Sequence, residues 1–462
     1  MADAEQSRAS TSCSSRTRAR ATSTRSCSSA SASPRTAASG ARSPRRGSSS
    51  ARASRRAPAA PSASPPSPTA ATVAASARPA GSTPTWPGWR RPGRRPWTSS
   101  SGRRRRGAGR CTRWFRTRSC RGRSAWRGVP CAAFFTQACA VDVAYAHAWT
   151  GRMALPPAAG EEKTVELPGL PAGLRPGDLP SFLANPSDYP GYLSLVLYQF
   201  KGLDTGDHVL VNSFHDLQPQ ESKFMALTWR AKTVGPTVPS AYLDNCLPDD
   251  TAYGFHLYTP LTTTTRAWLD AMPACSVVYV AFGSVATPSP VQMAEVAEGL
   301  YNCGKPFLWV VRASETSKIP ENFADRVKER GLIVTWSPQL EVLAHPAFGC
   351  FLTHCGWNSA MEGLSAGVPM VAMSQWSDQP MNAKYIEDVW RVGVRVRQDK
   401  EGVVRKEEIE RCIHEVMEGE RSTEYQQNAA IWKEKAKRAV SEGGSSDTNI
   451  AEFLGKVGLK IK

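Results

Sequence analysis

Apolar positions along the chain change period repeatedly, and each change marks an element. Short apolar runs occur at 131–135, 207–213, 276–283, 307–311, 332–336, 349–353 and 368–373, and they predict strands. The run at 276–283 is nearly continuous, as expected of a strand buried on both faces. Between these runs apolar residues recur every three or four positions. That spacing predicts helices at 138–153, 192–200, 290–302, 321–329, 339–344, 358–366 and 381–390, then three more at 406–417, 425–441 and 448–457. Proline and glycine mark a loop at 168–180 and a linker at 236–259. Strands alternating with helices predict an α/β fold with a parallel sheet covered on both faces. Such sheets bind ligands at the carboxyl ends of their strands.

None of this patterning exists before residue 129. The net charge of +18 would ordinarily point to nucleic acid or acidic membranes, but it is unevenly held. Residues 1–128 contain 28 arginines, no lysine and only Asp3 and Glu5 as acids, whereas the remainder has 30 Lys+Arg against 38 acids. The first segment also lacks Leu, Ile, Asn, His and Tyr. A chain so poor in aliphatic residues cannot offset its conformational entropy by burial, which predicts disorder over 1–128. Three readings fit: a natural Arg/Ser-rich tail touching nucleic acid through Arg103, Arg104, Arg105 and Arg106, an organelle transit peptide, or a GC-rich coding region translated in a shifted frame. The seam at Gly128-Val129-Pro130 favours the third, because the chain enters globular sequence in the middle of a domain.

The twelve cysteines form no C-x-x-C pair, which argues against zinc and thioredoxin-type sites. Residues such as Cys350 and Cys355 sit in apolar surroundings, as reduced buried thiols do. No run of 18 apolar residues exists, and the first residues lack the apolar core of a secretion signal. The expectation is a cytoplasmic protein without a membrane or nucleic-acid partner, and a monomer.

The densest chemistry lies in Thr353-His354-Cys355-Gly356-Trp357-Asn358-Ser359-Ala360-Met361-Glu362. A strand turns at Gly356 directly into a helix whose first turn holds Asn358 and Ser359. Free amides there, with His354 at the strand end, would suit a phosphate. The same residues also fit a purely structural role, with Ser359 and Glu362 as a capping box and His354 as a core residue.

Trp336 to Gln379 resembles, without gaps, the complete 44-residue signature of plant secondary-product UDP-glycosyltransferases. The similarity extends from about Val129 to the C-terminus, including Val280 to Ser284 and Gly443-Gly444-Ser445-Ser446. Val234-Gly235-Pro236-Thr237-Val238-Pro239 and Tyr253-Gly254-Phe255 are most similar to the branch that glucosylates small phenolic or carboxylic acceptors. The resemblance implies a GT-B type fold of two Rossmann-like domains, the N-terminal one largely missing or disordered over residues 1–128. It divides the chain into a remnant of the acceptor-binding domain at 129–240, a linker at 241–259, a UDP-sugar domain at 260–440 and a C-terminal helix at 441–462. It also implies roles: Trp336 stacks on uracil, Gln339 and Glu362 hold the ribose, and Ser284, His354, Asn358 and Ser359 bind the diphosphate around Gly356. Trp357, Asp378 and Gln379 would meet the sugar, while Phe134, Phe135 and Gln137 match the acceptor-side wall. Neither a metal nor a cofactor is implied beyond the donor, UDP-glucose, because the helix N-terminus and His354 offset the charge of the departing UDP.

Members of that family use an N-terminal histidine as base and an aspartate about a hundred residues later to orient it. Here the first histidine is His147, and after Glu5 the first acid is Asp142. The two lie five residues apart on one predicted helix, about 140° around its axis, so they cannot form the pair. The expected function is therefore inverting transfer of glucose to a small acceptor, impaired in this chain for want of a base. A non-catalytic UDP-sugar-binding protein is the alternative, and an Arg-rich nucleic-acid binder the third.

Overall fold

The apolar runs assemble into two parallel sheets in the computed structural model, which describes residues 115–116, 132–157, 164–203, 206–251 and 262–458. The first sheet has the order β1 (Phe115–Arg116), β2 (Ala132–Phe135), β3 (His208–Val211), β4 (Lys232–Thr233). The second has six strands: β5 (Val277–Ala281), β6 (Phe307–Val310), β7 (Gly331–Val334), β8 (Phe348–Thr353), β9 (Met370–Ala372) and β10 (Gly393–Arg395). Their spatial order is β10-β9-β8-β5-β6-β7, and every neighbouring pair is parallel. The chain leaves β5 in one direction and returns through β8 on its other side. The winding therefore reverses between β5 and β8, where Ala281 and Thr353 end side by side. A parallel sheet opens its ligand crevice at that reversal.

Helix bounds follow the apolar periodicity closely where it is strong. Pro290–Asn302 and Lys406–Met417 form over the expected residues, and Ser289 caps the former by accepting from the Gln292 amide at 3.1 Å. Three elements carry too weak a pattern to read in advance. Thr262–Asp270 opens on four threonines, Pro219–Trp229 opens on polar residues, and β10 has a single large apolar residue, Val394. The linker expected at 241–259 contains the one-turn helix Ser240–Leu243 at its start, and its later part lies outside the described residues. Phe115 and Arg116 form a strand within the segment expected to be disordered; the rest of 1–128 lies outside the described residues.

The helix Ser445–Lys456 packs on the first lobe. Asn449 Nδ2 donates to the Thr233 carbonyl at 2.9 Å, Lys232 pairs with Glu452, and Phe453 packs with Ala132, Leu210 and Val457. Phe134 joins that cluster, and Phe135 is buried against Phe200 with ring centres 5.7 Å apart. The two rings assigned to an acceptor wall thus pack the first lobe. Gln137 is buried in the turn between β2 and the helix Cys139–Trp149. Cys139, Cys303, Cys350, Cys355 and Cys412 are buried free thiols, in line with the expectation for Cys350 and Cys355, and Cys275 is disulfide-bonded.

Candidate functional site

His354 follows β8 directly and lies beside the end of β5. Gly283, at φ +69°, and Gly356 flank its ring: a methyl group on either would come within 2.6 Å and 2.5 Å of Nε2. Only glycine leaves the imidazole this position. Burial holds the His354 pKa down to about 4, with the Ala281 backbone opposing and Arg312 adding to the shift. The ring is neutral at physiological pH. Cys355, at φ +64°, turns the chain so that the helix Trp357–Ala366 starts at once, with Gly356 as N-cap and no side chain capping it. The capping box expected of Ser359 and Glu362 does not form, because Ser359 is the third residue inside the helix. Its first amides have no intrahelical acceptor and the positive end of the helix dipole faces the crevice, a combination suited to an anion. Asn358 is exposed there and Ser359 is buried.

Ser359 and Glu362 serve a different network. Gln339, first residue of the helix Gln339–Leu343, donates through Nε2 to Ser359 Oγ at 2.9 Å and to Glu362 Oε2. Its Oε1 accepts from the Tyr279 hydroxyl at 3.1 Å, which also lies 3.1 Å from Ser337 Oγ. Burial pushes the Tyr279 phenol well up, with Ser337 opposing and Glu362 adding to the shift, so it stays a protonated donor. Trp336, which precedes Ser337 in the chain, is partly buried. An acid and an amide locked together in this way can hold a diol.

The remaining assigned residues separate. Gln379 Oε1 accepts from the Gln375 and Trp376 amides at 2.8 and 3.1 Å, leaving its Nε2 without a protein partner among the described residues. Asn382 donates to Asp378 Oδ2 at 2.8 Å and to the Cys355 carbonyl at 2.9 Å, tying this loop to the His354 turn. Trp357 does not offer its indole to a ligand: Nε1 donates to the Asn212 carbonyl of the first lobe at 2.7 Å, and the ring packs 6.1 Å from that of Trp390. Ser284 is exposed on the loop after β5. Arg312 holds that loop, donating to the carbonyls of Ser284 at 2.6 Å and of Ala286. Sequence reasoning missed Tyr279, Ser337, Arg312 and Asn382. A charge ending the apolar run of β6 was the available signal for Arg312.

His147 Nε2 is 2.8 Å from the Pro168 carbonyl and its ring packs on Phe224, so it is engaged away from Asp142, as the helical spacing required. Among the described residues no group of three or more His, Cys, Asp or Glu is placed to hold a metal ion, and no helix is long and apolar enough to cross a membrane.

A family model described as UDP-glucoronosyl and UDP-glucosyl transferase matches residues 240–433. Over 331 residues the chain is 50% identical to UDP-glucosyltransferase UGT13248 of Hordeum vulgare subsp. vulgare, covering 71% of this chain and 69% of that one. It is 51% identical over 333 residues to crocetin glucosyltransferase 2 of Crocus sativus, covering 71% and 70% respectively. Among solved structures, Os79 from O. sativa in complex with UDP is similar at a TM-score of 0.66 and 48% identity, covering 71% of this chain and 73% of that one.

Proposed function

Because the chain belongs to the plant UDP-glycosyltransferases and has their GT-B fold, we propose that its second lobe binds UDP-glucose across the β5–β8 reversal and that transfer by this polypeptide is impaired. The observation that carries the binding half is the Gln339–Glu362–Ser359 network, built one helical turn from the bare N-terminus that follows His354. In this reading Trp336 covers the uracil, Gln339 and Glu362 hold the ribose hydroxyls, and the amides after Gly356 with His354, Asn358, Ser359 and Ser284 take the diphosphate. Gln379 and Asp378 meet the glucose. The complex of Os79 with UDP supports placing the nucleotide here. The donor is the only nucleotide required; no metal or cofactor takes part. The acceptor in this reading is a small molecule with a hydroxyl or carboxyl group; one relative is named crocetin glucosyltransferase 2.

The impaired half rests on the first 146 residues, which contain no histidine. Without a base to take the acceptor proton, inverting transfer loses about 10²–10⁴-fold. That absence also favours a second reading, a UDP-sugar-binding protein that does not catalyse. Titration calorimetry of the full chain with UDP, beside a transfer assay on a small phenol, tests both halves. The expected result is heat with UDP and little or no glucoside. A silent titration overturns the binding, and turnover at a rate normal for an enzyme overturns the impairment.

A further inference from the structure

The loop that carries Gln379 is not held by its own lobe alone. Ser377 sits at φ +63°, a left-handed conformation that a serine keeps only where its surroundings enforce it. The enforcement comes from Ser181 of the first lobe: Ser181 N donates to the Ser377 carbonyl at 2.7 Å, and Ser377 N donates to Ser181 Oγ at 2.7 Å. Beside this pair Trp376 is enclosed by three rings of the first lobe. Phe182 and Tyr192 meet it edge-on at 5.6 and 5.4 Å, and Tyr189 lies at 5.8 Å. One turn earlier Asp178, itself buried, pairs with Arg395 at 2.6 Å and Lys384 at 3.7 Å. The amides of Gln375 and Trp376 in turn fix Gln379 Oε1, which aims the free Nε2.

We propose that Ser181, with the Phe182 ring beside it, is a positioning residue for the sugar end of the donor site: the first lobe sets the Gln379 amide against the hexose of a nucleotide sugar. This rests on the donor reading above and extends it. Uridine and diphosphate are gripped by elements of the second lobe, so they bind whether or not the seam is intact. The hexose is gripped only when the two lobes meet at Ser181 and Ser377. Sugar recognition is thereby linked to contact with the acceptor lobe, and a donor held without that contact has its nucleotide fixed and its hexose loose.

The test compares UDP with UDP-glucose by calorimetry on the full chain, unaltered and as Ser181→Ala, Ser181→Thr and Phe182→Ala. Loss of one such hydrogen bond is expected to weaken UDP-glucose about fivefold while UDP changes less than about twofold. Ser181→Thr, which keeps the hydroxyl, should restore the unaltered ratio, and Phe182→Ala should shift the ratio as Ser181→Ala does. If Phe182→Ala does not fold, Tyr192→Ala removes a ring that is already 44% exposed and must shift the ratio the same way. An unchanged ratio in the folded variants, or equal weakening of both ligands, overturns the proposal while leaving the donor reading standing. No binding of UDP by the unaltered chain overturns both.

Discussion

His354 shows how one residue is made useful by what surrounds it. It is half-buried, with Gly283 and Gly356 on two sides of Nε2. Burial then keeps it uncharged down to about pH 4. A neutral imidazole beside a diphosphate acts as a hydrogen-bonding group and leaves the charge to the helix amides. UDP-glucose, whose phosphates are fully ionised across the neutral range, should therefore bind with nearly constant affinity from pH 5.5 to 8. A histidine of ordinary pKa, about 6.5, would gain charge and tighten the complex as pH falls through that window. Isothermal titrations at four pH values decide between them. A marked tightening on acidification, lost in His354→Ala, would show the ring to be charged in the complex. The linkage for stability has the opposite sense to that tightening. The unfolded ring takes up a proton below about 6.5 and the folded ring does not, so His354 lowers the stability of the fold as pH falls from 6.5 toward 4.

At the scale of elements, the turns after β5 and β8 carry the site, and two glycines separate backbone strain from site geometry. Gly283 and Gly151 both have positive φ, but a methyl group at Gly151 meets nothing within 4 Å, whereas one at Gly283 meets His354 Nε2 at 2.6 Å. Gly151→Ala should cost about 1 kcal/mol in denaturant unfolding with UDP affinity unchanged. Gly283→Ala should cost a similar amount and weaken UDP at least about tenfold, since the imidazole must move aside. Equal UDP affinity in the two variants would remove His354 from the phosphate site. Much of this architecture was legible from spacing, because strands and helices declare themselves through local period. The helix Pro290–Asn302 repeats its apolar face over three turns, and β5 is apolar throughout. The site was legible only in part. Gln339 and Glu362 were recognised by resemblance, but their mutual bond spans 23 residues and spacing does not reveal it. Tyr279 looked like any other core residue of β5. Trp357 looked available because nothing local indicates that its indole reaches a carbonyl 145 residues away.

Over the whole molecule the two lobes share a buried seam, and its electrostatics set a testable limit on stability. Trp390 Nε1 donates to the Leu217 carbonyl at 3.1 Å and Trp357 to that of Asn212, so backbone groups of the first lobe are satisfied by indoles of the second. Between these contacts Glu221, on the helix Pro219–Trp229, accepts from the Tyr385 hydroxyl and is buried. Burial raises the Glu221 pKa, and the hydrogen bond from Tyr385 only partly opposes it. A carboxyl whose folded pKa lies above its unfolded value of 4.5 contributes stability that is complete below 4.5 and is lost as pH rises through the folded value. At pH 8 the unfolded carboxyl is ionised while burial disfavours the charge in the folded seam, so Glu221 makes the fold less stable there than at pH 4.5. Glu221→Gln removes the charge and keeps an oxygen to accept from Tyr385. It should melt at a higher temperature than the unaltered chain at pH 8, and the difference should close as pH is lowered toward 4.5. Scanning calorimetry at pH 5 and 8 measures this directly. If the variant instead melts lower at pH 8, the charged hydrogen bond to Tyr385 outweighs the desolvation of the carboxylate, and Glu221 holds the lobes together through its charge.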